Sequence, residues 1–512
     1  MTNLVDRLPL LPRARSSRGL TLIEMLVALA VTLVMMAAVV NLFANMSASI
    51  RNRRAAIETG AQLRQTRNRL AMDLSGATCR GSTWQDPAEN QGYIEIIEGE
   101  WSDKRPSNLT DGDPANNELD YTTSEVPSSQ AFDSDAGVAA DGRTLGSGAV
   151  TDGRGLGDWD DILALTTQSE DAPFAGKVPY YNPVSAAWEQ RFDESHQAEV
   201  LWFAEQNGIG GGASGEPGMR RIYRRAFLIM PSINFPPLST LAGTTELEKL
   251  RDFYSKYDVS VRIEDGRVVG NTLGDLTKRE HRYLHNNNVF TPGSPTNGFP
   301  HELVSRPGGD ADWLVLNNAL AFDLRVFDPG APLYAVGNNI LEPGDYGWAG
   351  ALATAGAANA SGYGAYCDLG WGFDPPPTGS MAYLAPPTGS PAPLPLFNEI
   401  RPAGYHPRSS PQTNAVTLYP AVYDTWSYHY ENDGINQDNV WQTNGVPWQM
   451  NTIDQGANGL DDDGANGVDD RGERETAPPY DVPLKGVKVI LRVYEPDSRQ
   501  IRESSVTHSF KQ

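Results

Sequence analysis

The sequence predicts an α+β protein: one long N-terminal helix, then an antiparallel sheet interrupted by long loop insertions. Three observations predict it. Met25 to Ile50 run for 26 positions without a charge. Beyond residue 78 the pattern changes to short apolar or alternating segments, the signature of strands. Gly 50 and Pro 37 together make 87 of 512 residues, so much of the chain is loop.

Length alone allows two to four domains, at roughly 100–200 residues each. Lys and Arg total 41 against 64 Asp and Glu, a net charge of −23. That balance argues against nucleic acid as a partner, because phosphate binding needs a basic surface. Two cysteines cannot build a disulfide framework or a four-Cys zinc site. Cys79 and Cys367 could still pair with each other outside the cytoplasm.

The charge is uneven. Residues 1–70 hold ten arginines and three acids (Asp6, Glu24, Glu58), a net +7 that leaves −30 for the rest. From Leu20 to Phe43, 24 residues at about 1.5 Å each reach about 36 Å, enough to cross a hydrocarbon core of about 30 Å. Arg7, Arg13, Arg15 and Arg18 favour a cytoplasmic leader, while Arg51, Arg53 and Arg54 beyond the span weaken that bias. An ordinary secretory signal has an apolar region of about 7–15 residues ending at a small-residue cleavage site. This run is longer, and Glu24 stands just inside its start. A carboxylate facing lipid costs about a few kcal/mol, less near the interface, so Glu24 is a functional candidate.

The stretch Arg18-Gly19-Leu20-Thr21-Leu22-Ile23-Glu24, followed by Met25-Leu26-Val27-Ala28-Leu29, resembles the type IV prepilin cleavage and methylation motif. The resemblance implies a cut between Gly19 and Leu20 by a prepilin peptidase, then N-methylation of Leu20. It also implies that Glu24 serves assembly, pairing with the N-terminal amine of a neighbouring subunit and so neutralising two charges in an apolar fibre core. Leu20 departs from the family's usual Phe. Past the span, Ile50, Ile57, Leu63, Leu70 and Leu74 read as one apolar stripe on an otherwise polar helix. In pilin-like proteins this half of the spine packs on a sheet. The arginines between read as a solvated face.

In the body, Gly92–Ile97, Asp161–Thr167, the pair Glu199–Ala204 and Arg221–Ile229, then Val259–Ile263, Trp313–Phe327 and Lys485–Tyr494 read as strands. Glu246–Tyr257 reads as a helix. Leu324-Arg325-Val326-Phe327-Asp328-Pro329 and Leu491-Arg492-Val493-Tyr494-Glu495-Pro496 resemble each other, as strands that each end at an acid and a proline. The layout expected is a leader at 1–19, a transmembrane segment at 20–43, the rest of the spine at 44–78 and a head at 79–512. Insertions are expected at 100–157 and 329–420. Two head domains with a break near residue 330 are the alternative.

The clearest chemical motif lies at 454–473, where Asp-x-Gly-Ala-Asn-Gly-apolar-Asp-Asp repeats at a period of eight. Ca²⁺ wants six to eight oxygen ligands from a tightly turned loop. Aligned with an EF-hand loop, Asp462 takes position 1, Asn466 position 5, Val468 position 7 through its carbonyl, Asp470 position 9 and Glu473 position 12. Gly464 leaves position 3 without a side-chain oxygen. Asp454, Asn458, Gly459 and Asp462 outline a second, weaker loop. The expected cofactor is structural Ca²⁺; the competing reading is a flexible acidic linker.

Other motifs are weaker. Gly208-Ile209-Gly210-Gly211-Gly212 resembles a dinucleotide loop but leads to no helix, so a hairpin loop is the better reading. His281 and His285 stand four apart in a polar segment expected to be exposed, without the Glu a zinc protease needs. Trp426, Trp441 and Trp448 read as core or loop anchors. No Ser nucleophile motif or Walker loop is present, so no catalytic residue is expected.

The resemblance therefore implies a non-enzymatic minor pseudopilin of the J type in type II secretion, or a PilW-like minor pilin. Its partners would be the prepilin peptidase and methyltransferase, other minor and major pseudopilins or pilins, and the inner-membrane assembly platform. The chain would cross the bacterial inner membrane once, with its head in the periplasm or on an extracellular fibre. A pilus-anchored adhesin or glycan-binding head, motivated by the aromatic-rich stretch 360–450, is the reading from another class.

Overall fold

The computed structural model describes residues 21–97, 161–206, 220–283, 313–337, 339–343, 359–369, 422–434, 455–461, 483–495 and 500–510, and the single or paired positions 348, 351, 373–374, 382–383, 464, 467–469, 474, 476 and 478. The expected insertion at 100–157, the glycine loop at 208–212, His285, Trp441 and Trp448 lie outside them. The chain divides into one unit at residues 1–58 and a second at 59–512.

Helix α1 runs from Leu22 to Ser75, 54 residues without interruption. Leu22–Phe43 is long and apolar enough to cross a membrane. Its side chains are exposed throughout, from Leu22 at 83% to Phe43 at 64%, as a lipid-facing segment requires.

The second unit is built on a ten-stranded antiparallel sheet. Its strands are β1 (Ile94–Ile97), β2 (Ile162–Gln168), β5 (Gln197–Gln206), β6 (Arg220–Leu228), β9 (Leu314–Val336), β10 (Asn339–Leu341), β11 (Gly362–Cys367), β12 (Val422–Asp424), β13 (Gly486–Glu495) and β14 (Gln500–Ser509). The order is β12-β1-β2-β5-β6-β9-β13-β14, with β10 and β11 also paired to β9. Two hairpins stand apart from it: β3 (Phe174–Asn182) with β4 (Ala187–Ser195), and β7 (Val261–Glu264) with β8 (Arg267–Gly270).

Both faces of the central strands are covered. Leu163 and Leu165 join Ile96, Val200, Trp202, Phe322, Val489 and Leu491 in one core, against Leu63, Leu70 and Leu74 of α1. Ala164 turns the other way and meets Leu201, Tyr223 and Phe227 with Phe253 and Tyr254 of helix α2 (Glu246–Lys256). Two buried faces account for the near-continuous apolar run Ile162-Leu163-Ala164-Leu165. Thr245 caps α2 in a reciprocal box with Glu248, whose carboxyl accepts from Thr244 and Thr245 amides and is held down at about 2.

Four expectations need correction. The apolar stripe on α1 is two faces. Leu63, Leu70 and Leu74 are buried, whereas Ile50 and Ile57 are 62% and 68% exposed. The step of six from Ile57 to Leu63 turns the helix by about 600°, or 240° away from the first face. Next, Pro329 does not end a strand. β9 runs on to Val336, and its register with β11 shifts between Asp328 and Pro332, so the ladder slips past the missing N–H as an irregularity. The start of the 329–420 stretch therefore belongs to the sheet. The two look-alike segments lie on paired strands but not opposite each other: Leu324 faces Val489, and Leu491 faces Phe322. Lastly, Glu280–Tyr283 is not an exposed polar segment: Arg282 and Tyr283 are buried at 2% exposure each. Cys79 and Cys367 are both buried and free; no disulfide joins them.

Candidate functional site

Glu24, the expected assembly residue, lies at the start of α1. Thr21 donates its backbone N–H to Glu24 Oε2 at 2.8 Å and its hydroxyl to the same oxygen at 2.9 Å. The Glu24 N–H returns a bond to Thr21 Oγ1 at 3.3 Å. This is a capping box, Thr-x-x-Glu, which satisfies helix-end donors and sets a negative charge where the helix dipole favours one. The pattern is legible in the sequence as a helix start; read as a membrane charge alone, Glu24 lacks that partner. Gly19 and Leu20, the expected cleavage and methylation positions, lie outside the described residues.

A single apolar span with an acid at its first turn, continuous with a long helix, is consistent with one class: single-pass membrane-anchored proteins with a spine helix. The prokaryotic N-terminal methylation motif matches residues 14–40. The chain thereby carries the processing motif of type IV prepilin-like proteins, and its mixed α+β architecture is consistent with the pilin-like fold. No curated protein and no solved structure matches it. The motif implies processing by a prepilin peptidase and assembly into pilin fibres, and its family is in general structural rather than catalytic.

Of the expected calcium ligands, Asp454, Asp462, Asn466, Asp470 and Glu473 lie outside the described residues. Asn458 Oδ1 accepts from the Leu460 N–H at 2.8 Å, a local turn, and Val468 is exposed. Asp469, absent from the sequence-derived ligand set, ties the two repeats together. Its carboxylate accepts from the Gly459 N–H at 2.9 Å, and its own N–H donates to the Leu460 carbonyl at 3.3 Å. Gly459, Gly464, Gly467 and Asp469 all take positive φ, the backbone conformation that tight turns use. Its stem is fixed: buried Glu431 accepts from the Thr476 N–H and hydroxyl at 3.1 and 2.7 Å, and the Thr476 hydroxyl accepts from Trp426 Nε1 at 2.9 Å. Trp426 is thus a fully buried anchor. Among the described residues no group of three His, Cys, Asp or Glu is placed to hold a metal. His281 Nδ1 lies 3.2 Å from the Asp275 carbonyl, and burial pushes its imidazole pKa down.

The body holds buried charge that sequence reading missed. Asp73, near the end of α1, takes a bidentate pair from Arg224 on β6 at 2.7 Å each and a bond from Trp202 Nε1 at 2.8 Å. On the other face, Glu95 of β1 and Asp424 of β12 meet Arg279 and Arg282, all four buried. Glu199 accepts from the Tyr93 hydroxyl at 2.8 Å, the Ser260 hydroxyl at 2.6 Å and the Tyr283 N–H at 2.9 Å. These groups close on one another, which is the signature of scaffolding.

Proposed function

We propose that this prepilin-like chain is a minor pseudopilin: a non-catalytic subunit of a type II secretion pseudopilus, inserted once in the bacterial inner membrane and placed at the fibre tip. The methylation motif at residues 14–40 carries this reading. The bulk of the body, residues 59–512, supports the tip position, because a large head crowds a close-packed helical fibre along its sides. The partners proposed are the prepilin peptidase and methyltransferase, sibling minor and major pseudopilins, and the assembly platform. Intact-mass measurement of the membrane-extracted protein tests it. Loss of residues 1–19 and gain of one methyl group on Leu20, both dependent on the peptidase, is the expected result. An intact chain, or a cut beyond residue 40, would remove the protein from the fibre pathway.

Calcium in the acidic loop is a second proposal, motivated by the ligand spacing of 454–473. Millimolar Ca²⁺ is expected to slow proteolysis within that loop, and to do so less in Asp462→Asn with Glu473→Gln. Equal cleavage rates with and without Ca²⁺ would leave the loop an acidic linker.

A further inference from the structure

The acidic repeat holds a reactive dipeptide that the calcium reading does not use. In Asn458-Gly459 the backbone nitrogen of the glycine is placed by the chain itself beside the asparagine's side-chain carbonyl carbon, and Gly459 has no Cβ to obstruct attack. The attack requires the Gly459 N–H to lose its proton. That N–H is held: it donates to both oxygens of Asp469, at 2.9 and 3.2 Å. A carboxylate there favours the protonated amide twice over, because only the N–H form makes the bond and because its charge repels the amide anion. The carbonyl is engaged as well, with Asn458 Oδ1 accepting from the Leu460 N–H at 2.8 Å. The Asp469 N–H bonds the Leu460 carbonyl at 3.3 Å, a backbone tie that does not depend on the Asp469 side chain.

The same dipeptide recurs eight residues on, as Asn466-Gly467, and Gly467 is exposed. At that period the residue equivalent to Asp469 stands at 477, where the chain has Ala477. One Asn-Gly of the repeat is thus guarded by a carboxylate, and the register supplies none for the other.

We propose that Asn458 is a deamidation site held in reserve by Asp469. Once the Gly459 N–H is released, its proton goes to hydroxide and the nitrogen bonds Asn458 Cγ. The Cγ–Nδ2 bond then breaks, and Nδ2 takes up a proton and leaves as ammonia. The resulting succinimide adds one water and opens at either carbonyl, to aspartate or isoaspartate. Nothing is oxidised or reduced, and a neutral side chain in an acid-rich loop becomes a carboxylate.

Purified full-length protein in detergent, incubated in mildly alkaline buffer and mapped by peptide mass spectrometry, tests it; each event reads as an amide becoming an acid. In the native chain Asn466 is expected to convert ahead of Asn458. Asp469→Ala keeps the backbone tie and removes the guard, so it is expected to speed conversion at Asn458 on the order of tenfold and to leave Asn466 unchanged. Asp469→Asn keeps an acceptor without the charge and should fall between. Native Asn458 converting as fast as Asn466, or no acceleration in Asp469→Ala, overturns the reserve. So does equal acceleration at both asparagines, which would mean that the variants loosen the whole repeat.

Discussion

Asp73→Ala is expected to cost about 3–5 kcal/mol of folding stability, the range for removing one partner of a buried ion pair. Asp73 is 3% exposed and sits in the last turn of α1, where the helix dipole disfavours a carboxylate. It is tolerated there because two donors converge on it: the Arg224 guanidinium, 10% exposed, and the Trp202 indole. Alanine would strand both in the core between helix and sheet. Asp73→Asn keeps an acceptor for Trp202 but loses the charge, and should fall between. Denaturant unfolding of the full-length protein in detergent, followed by far-ultraviolet circular dichroism, measures the series. A loss for Asp73→Ala within about 1 kcal/mol would show that the helix is held by its apolar face alone, through Leu63, Leu70 and Leu74.

What the sequence made legible were the contiguous signals. The processing motif and span need only residues 18–43, and strands such as Ile162–Gln168 and Gly486–Glu495 announce themselves by local apolar runs. Anything that depends on partners distant in the chain was hidden. Arg282 looked solvated because its neighbours are Glu280, His281 and Tyr283. Its real partners, Glu95 and Asp424, lie 187 and 142 residues away. Asp73 was likewise one more polar residue on a polar helix until Arg224 was brought to it from 151 residues on. The face error on α1 has a different cause. Spacings of 7 and 4 preserve a helix face, and one spacing of 6 among them does not. Pro329 misled because a strand-ending residue was met by a register shift, which only the pairing with β11 reveals.

Arg282→Ala is expected to be at least as costly as Asp73→Ala, and its cost should depend on pH. The Arg282 guanidinium is fully buried, bonds the Asp424 carboxylate at 2.6 Å and Glu95 at 3.3 Å, and donates to the carbonyls of Leu276, Thr277 and Thr425 at 3.0, 3.2 and 3.0 Å. It therefore holds edge strand β12 to the segment 276–282. Burial pushes the Asp424 carboxyl up to about 6 from 3.8, against the downward pull of Arg282 and Arg279. Between those values the folded state holds a proton that the unfolded chain releases, so this group's contribution to stability falls as pH rises through the window. Removing Arg282 removes the larger downward pull and stretches the window to higher pH. The variant's deficit against the native protein should thus be larger near pH 7.5 than near pH 5, by about 1 kcal/mol or more. Unfolding curves at the two pH values measure it. Adding Asp424→Asn to Arg282→Ala should erase most of the pH difference while leaving the fold weakened, because the uncompensated charge is gone but the guanidinium's bonds to three carbonyls are not replaced. An Arg282→Ala deficit that is the same at both pH values would mean that Arg279 alone suffices to keep the Asp424 carboxylate charged.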